Sequence, residues 1–362
     1  MTAIHQFIPT LAPRDAVGAH CLAMQDTFRA AGFRSEIYAH EAKEALRKRA
    51  RPFRSFRGAR AGEETTLVYH ASVGSPVGDW VAARPEPLLV DYHNITPMSY
   101  FAPYEPHTAA VMGLGRRQLQ KLGHRAILGL ADSGYNAHEL EELGYRATAV
   151  VPILLDVTTL DVEPAPALLE RLERAKDAGG IDLLFVGRIA PNKAQHDLVK
   201  ALAAYRMSHD PNARLRLVGG VASHGYEVAL CKFIAALGLT DCVEITGGVS
   251  AAELAAYWAT ADVLVVASEH EGFCVPLLEA MHHRVPIVAY AAAAVPETLG
   301  SGGLALPTKD AATMADAIAR VTGDDRLREQ LIAAGAARLA DFDVERSRRA
   351  LLETISPLVS RA

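Results

Sequence analysis

Ala261-Asp262-Val263-Leu264-Val265-Val266-Ala267-Ser268 runs directly into Glu269-His270-Glu271-Gly272-Phe273-Cys274-Val275-Pro276-Leu277-Leu278-Glu279. The first eight residues are an apolar run of the length and composition of a buried parallel strand. Leu277-Leu278-Glu279-Ala280-Met281 reads as the first turn of a helix. Two carboxylates, Glu271 and Glu279, therefore flank one strand-to-helix turn. In α/β proteins ligands bind at such turns, because free backbone N–H groups point outward there. Carboxylates beside an amide-rich turn suit a ligand that carries both hydroxyls and phosphates, such as a nucleotide-sugar.

Working outward, short apolar runs alternate with amphipathic stretches along the whole chain, the pattern of βα repeats around parallel sheets. Strands are expected at 3–11, 35–41, 65–71, 88–94, 126–133 and 147–153, then at 181–189, 213–219, 242–246, 263–267 and 286–291. Helices are expected at 16–31, 107–122 and 136–143, then at 194–208, 226–237, 251–260, 277–283, 311–321 and 326–342. Residues 154–180 are rich in Pro, Glu and Ala and contain Gly179-Gly180, so the break between two domains is placed there. The expected organisation is a first domain at 1–155, a connection at 156–180 and a second domain at 181–342. A final helix in 343–362 either packs back on the first domain or stays with its own. Two doubly wound domains facing a central cleft is the economical arrangement.

The chain's 362 residues agree with two domains at roughly 150 residues each. A net charge of −5 argues against a general polyanion binder. The four cysteines, Cys21, Cys231, Cys242 and Cys274, are scattered without a C-x-x-C pair. That spacing points away from a zinc site or a disulfide framework and toward a reducing compartment. No apolar stretch approaches the ~20 residues of a membrane-spanning helix, and the first residues do not read as a signal peptide. A cytoplasmic protein is expected.

Charge also collects on the turn after the strand at 181–189. Gly187-Arg188 and, five positions on, Lys193 lie on one strand-to-helix loop. A diphosphate leaving group gathers negative charge as its bond breaks and needs such cations. Arg can meet phosphate with two bonds, Lys with a point charge. Two solvated loop cations would explain the pair in isolation; the acidic turn tips the balance. Gly219-Gly220 and Gly247-Gly248-Val249 end two further strands, so glycine-rich turns recur along one sheet edge. In the first half, Gly18 opens the first helix, and Asp91-Tyr92-His93-Asn94 ends a strand with His93 expected to face the ligand. A structural role for a lone strand-end histidine is the commoner case. From Lys43 to Arg60 eight cations meet one acid, with Phe53 and Phe56 interleaved. This is either a solvated surface or an electropositive patch for an anionic membrane or acceptor. No nucleic-acid motif accompanies it.

With these residues in hand, the chain resembles the retaining glycosyltransferases of family 4, whose architecture is GT-B. Glu271 and Glu279 match that family's E-x7-E motif, and Gly187, Arg188 and Lys193 match its G-R-x-x-x-x-K motif. The resemblance implies that Glu271 holds hydroxyls of the donor sugar and Glu279 the ribose. It implies that Arg188 and Lys193 neutralise the diphosphate, and that amides of Phe273, Cys274 and Val275 reach the sugar or phosphate. Gly18, Gly219, Gly247 and Val249 join the donor-binding set, and His93 corresponds to a histidine near the reacting carbon. The catalytic set is then Glu271, His93, Arg188 and Lys193. The family usually has glycine where this chain has Cys274. The implied reaction transfers a sugar, with retention, from a nucleoside diphosphate (UDP preferred over GDP) to an acceptor hydroxyl, without a metal or other cofactor. A saccharide or lipid-linked acceptor in cell-surface polysaccharide or glycolipid synthesis would suit it. The rival readings are a UDP-sugar 2-epimerase on the same architecture and a non-catalytic nucleotide-sugar binder.

Overall fold

The computed structural model describes residues 2–13, 15–59 and 61–359. Arg60 of the cationic segment and residues 360–362 of the C-terminal stretch lie outside the described residues. The chain divides into two compact units, Met1–Ala102 with Pro106–Asp156 and Phe342–Ala362, and Val157–Asp341 with Pro103–Glu105.

The first unit is built on seven strands: β1 Thr2–Leu11, β2 Ile37–Ala42, β3 Ala50–Pro52, β4 Glu64–Ala71, β5 Leu88–Tyr92, β6 Leu128–Ala131 and β7 Thr148–Val150. They pair in the order β3-β2-β1-β4-β5-β6-β7, parallel throughout. Parallel strands covered on both faces must be apolar on both, and β5 is buried from end to end. Helix Val344–Val359 belongs to this unit, burying Leu351, Ile355 and Val359 with Ile4, Met24, Phe28 and Val68.

The second unit has six parallel strands: β8 Asp182–Val186, β9 Arg214–Val218, β10 Val243–Gly247, β11 Val263–Val266, β12 Ile287–Tyr290 and β13 Leu304–Leu306, ordered β10-β9-β8-β11-β12-β13. Its core fills with Phe185, Leu202, Leu217 and Val265, all shielded from solvent. In both sheets the chain runs outward one way and then reverses, between β1 and β4 and between β8 and β11. Where strand order reverses, the loops leaving two adjacent strands part and leave a crevice at the carboxyl ends. In the second unit those loops are the ones that carry Arg188–Lys193 and Glu271–Val275.

Three local expectations change. Residues 156–180 are more than a connection: Pro166–Asp177 is a helix of the second unit. Pro166 sits at its first turn, Leu172 is buried, and Arg174 pairs with Glu170 one turn away. Its Glu/Arg-rich exposed face made it read as linker. Helix Pro76–Ala82, capped by Ser75, and strands β3 and β13 also went unread, the strands being three residues each. Phe53 and Phe56 are 4% and 5% exposed and pack with Phe7, Tyr38 and Leu67. They are core residues and do not interleave with the surface cations.

Candidate functional site

The loop after β8 and the loop after β11 are fastened to each other by a buried asparagine. Asn192 Nδ2 donates to the carbonyl of His270 at 3.0 Å, and Glu269 N–H donates to the carbonyl of Asn192 at 2.9 Å. This two-way bond sets Lys193 against Glu271, with Nζ 2.5 Å from Oε1. Both side chains are mostly shielded, 17% and 10% exposed. Removing either leaves the other charge in a poorly solvated place. Arg188, on the same loop, is exposed and makes no side-chain hydrogen bond or ion pair among the described residues. Its carbonyl is held instead by Gln195 Nε2 at 2.9 Å. So one cation is locked to a carboxylate and another is free to meet an anion.

A second ion cluster braces the same turn from behind. Lys309 bonds Glu269 and reaches Asp197 at 2.6 Å, while Lys200 bonds Asp197 at 2.8 Å. Burial alone would raise the Asp197 carboxyl, but the bonds from Lys200 and Lys309 outweigh it and hold the group below its ordinary range.

Cys274 adopts φ +69°, a left-handed conformation that glycine takes freely and other residues take at a cost of about 1 kcal/mol or more. Phe273 and Cys274 are buried, and burial pushes the thiol well above its usual range. The N–H groups of Cys274 and Val275 have no partner among the described residues, and Pro276 supplies none. Helix Pro276–His282 then presents Glu279 in its first turn. Its Oε2 is buried without a hydrogen-bond partner, and desolvation raises the carboxyl to about 7.

The glycines divide by purpose. A Cβ on Gly219 would lie 2.1 Å from the carbonyl oxygen of Gly187, so this pair lets the ends of β9 and β8 approach. Gly247 faces open space at φ +69°, and it and Val249 sit at the end of β10, two strands from the switch point. In the first unit, a Cβ on Gly18 would meet the Ala12 carbonyl at 2.8 Å, and its N–H donates to the Asp15 cap at 3.0 Å. The turn's own packing accounts for Gly18 without a phosphate.

His93 differs most from expectation. Its ring is 2% exposed, and both nitrogens are engaged within the unit. Nδ1 lies 3.1 Å from Asp132 Oδ2, and Nε2 lies 2.9 Å from His70 Nδ1 and 3.2 Å from Asp91 Oδ2. Asp91 Oδ2 also receives His20 Nε2 at 3.1 Å. His20 Nδ1 accepts from Leu154 N–H at 2.8 Å, so neutral His20 carries its proton on Nε2. His70 Nε2 faces the Gln6 side-chain oxygen at 2.8 Å, and its Nδ1 lies 3.1 Å from Asp91 Oδ2 as well as 2.9 Å from His93 Nε2. His93 lies between two carboxylates, with Asp132 at Nδ1 and Asp91 at Nε2. Burial would lower its pKa, but Asp91 and Asp132 prevail and raise it well above the ordinary value. Burial takes His70 down to about 4. Burial would raise Asp91, yet His93 and His20 hold it well below the carboxylate range. His20, Asp91 and His93 are close enough to suggest a cation site. As they stand, His20 Nε2 donates to Asp91 Oδ2 at 3.1 Å. Sequence reading assigned no role to Asp91 or Asp132. The signal available was that Asp91 and His93, two apart on a strand, share one face.

Residues 170–338 match the family model described as "Glycosyl transferases group 1". A D-inositol 3-phosphate glycosyltransferase of Frankia alni is 32% identical over 257 residues, 69% of this chain and 62% of the relative. That of Geodermatophilus obscurus is 33% identical over 243 residues, 65% of this chain and 52% of the relative. The chain thus spans less than two thirds of the length of these curated relatives. Among solved structures, sucrose-phosphate synthase from Thermosynechococcus elongatus superposes with a TM-score of 0.77 at 19% identity, covering 99% of this chain and 100% of that one. HepE of Anabaena in complex with UDP-glucose gives 0.75 at 20% identity, covering 98% and 99%. No helix of the described residues is long and apolar enough to cross a membrane.

Two outcomes follow from the buried charges. Asp91→Asn should destabilise the protein by about 3–5 kcal/mol in chemical denaturation, since His93, His70 and His20 all lose the carboxylate they share. The double variant Asp91→Asn/His93→Gln should cost clearly less than the sum of the single changes; additive costs would refute the coupling. Glu279 is raised in the folded state, so its contribution to stability is full below about pH 4.5 and is lost as pH rises through about 7. Glu279→Gln should therefore gain stability relative to the parent between pH 5 and pH 8, by up to about 3 kcal/mol. Parallel melting curves over that range would contradict a buried acidic proton. With two parallel Rossmann-like sheets and these structural neighbours, the chain has the GT-B fold, and its residues 170–338 match the group 1 glycosyl transferases.

Proposed function

We propose that the protein is a retaining glycosyltransferase that moves a sugar from a nucleoside diphosphate, UDP by preference, to an acceptor hydroxyl. The observation that carries this reading is the Lys193–Glu271 pair at the β8/β11 switch point, with the unpaired Arg188 guanidinium on the same loop. Lys193 and Arg188 meet the diphosphate and stabilise the charge that grows on it as the sugar departs. Glu271, fixed by Lys193, accepts from hydroxyls of the donor sugar. Glu279 accepts from the ribose, exchanging its buried proton for hydroxyl donors. The free amides of Cys274 and Val275 face the same ligand. A leaving-phosphate oxygen takes the acceptor proton on the face the sugar leaves, which retains configuration. His93 acts as a fixed cation beneath the end of β5, since both of its ring nitrogens are occupied.

The uracil preference draws support from structural neighbours solved with UDP and UDP-glucose. The relatives' names make a phosphorylated cyclitol the first acceptor to try, ahead of saccharides and lipid-linked saccharides. With two cations on the diphosphate, transfer needs no metal.

Lys193→Ala and Glu271→Ala should each lower transfer about 100-fold or more with folding intact, and EDTA should leave the parent rate unchanged. Full activity in both variants would end this reading. Isomerised sugar and free UDP formed without acceptor would replace it with the epimerase.

The segment after β2 supports contact with an anionic surface. Arg47, Lys48, Arg54 and Arg57 are exposed and have no acidic partner among the described residues. With Phe53 and Phe56 buried, such contact is electrostatic and without insertion. Each cation adds about 1 kcal/mol at an anionic membrane. Changing these four residues to Glu should abolish sedimentation with phosphatidylserine vesicles at low salt. Equal retention of variant and parent would dismiss the membrane as partner.

A further inference from the structure

The second unit holds a cavity that the donor-site reading does not use. It has a volume of about 480 Å³ and lies between the segment Leu160–Pro164, the end of the helix Ala251–Thr260, the turn His283–Val285 and Arg328. That volume falls within the span of small-molecule sites, about 300–1,000 Å³. The turn His283–Val285 follows the C-terminal end of helix Pro276–His282, whereas Glu279 of the donor set is in that helix's first turn.

Its lining has the chemistry of a binding site. Arg284 and Arg328 both line it, and neither guanidinium makes a hydrogen bond or ion pair among the described residues. Trp258 lines it too. This side chain is 2% exposed, yet its indole Nε1 is buried without an acceptor. A buried donor without a partner is costly, on the order of 1–3 kcal/mol. Trp258 is fixed in place by a stacked His283, with ring centroids 5.4 Å apart at 16°. Asp161, also in the lining, is pinned by His282 Nε2, 2.8 Å from its Oδ1. With Asp161 engaged there, Glu163 is the carboxylate left to accept from hydroxyls.

We propose that this cavity is a second ligand site for a small phosphate monoester of a polyhydroxy compound, such as a sugar phosphate. Arg284 and Arg328 hold the phosphate, Glu163 takes a hydroxyl, and the Trp258 ring forms part of the wall. Planar guanidinium groups bind phosphate with two parallel bonds, which a point charge does not.

The chain's own fluorescence tests the site. It has two tryptophans, and Trp80 belongs to the first unit's core. In a Trp80→Phe background Trp258 is the only indole. Titration of the full chain with glucose 6-phosphate should give a saturable change in emission. Arg284→Gly and Arg328→Ala should each weaken it at least tenfold. Arg284 sits at φ +57°, the conformation glycine prefers at a helix end, so Arg284→Gly should fold at least as well as the parent. Saturating UDP should leave the curve where it is, which separates this site from the donor site. The proposal falls if emission does not saturate, if both variants titrate like the parent, if glucose without phosphate gives the same curve, or if UDP displaces the sugar phosphate. None of these outcomes depends on whether the enzyme transfers sugar.

Discussion

Everything specific about the second unit follows from the reversal of strand order between β8 and β11. A parallel sheet grows by right-handed crossovers, so only at a reversal do neighbouring strands send their loops to opposite faces. The sequence places its most distinctive residues in those two loops, 78 positions apart for Lys193 and Glu271. The sheet brings them together, and Asn192 fixes their spacing with one side-chain bond and one backbone bond. Lys309, from the loop after β13, fastens the same turn to the helix after β8 through Asp197 and Glu269. The candidate donor site is thus an ion-paired turn held at three points by chain segments far apart in sequence.

The first unit solves a different problem. Three histidines and two aspartates are gathered at the ends of β4, β5 and β6 and the first helix, almost fully shielded from water. Such groups are tolerated because every one of the five rings and carboxylates is joined to another by a hydrogen bond or ion pair. The arrangement keeps one histidine charged and one neutral a few ångströms apart. That difference arises from which acceptors each ring meets, and not from exposure.

Motifs confined to one turn were legible in the sequence. The apolar run 261–268, the E-x7-E spacing and the Gly187-Arg188…Lys193 loop all carry local signals, and the strands around them fell where periodicity put them. What could not be read were relations across the sheet. The bonds of His93 to Asp132 and His70 join residues 39 and 23 positions away, and no periodicity reports them. Helix Pro166–Asp177 was hidden by its charged exposed face, because only Leu172 is buried. Phe53 and Phe56 were misjudged because each shares its stretch with cations, although side chains two or three apart can point to opposite sides. Gly18 and Gly219 illustrate a further limit. A glycine beside a ligand and a glycine beside another backbone look the same in sequence.

Cys274 gives the turn between the two glutamates a property of its own. A glycine at this point could swivel among several backbone states, and a ligand would have to select one of them. A residue with a Cβ, already held at φ +69° by its buried surroundings, has few alternatives left. The loss of backbone freedom is then incurred when the protein folds and not again when a ligand arrives. The loop is pre-organised by its own chain, and association should proceed with little rearrangement of its amides.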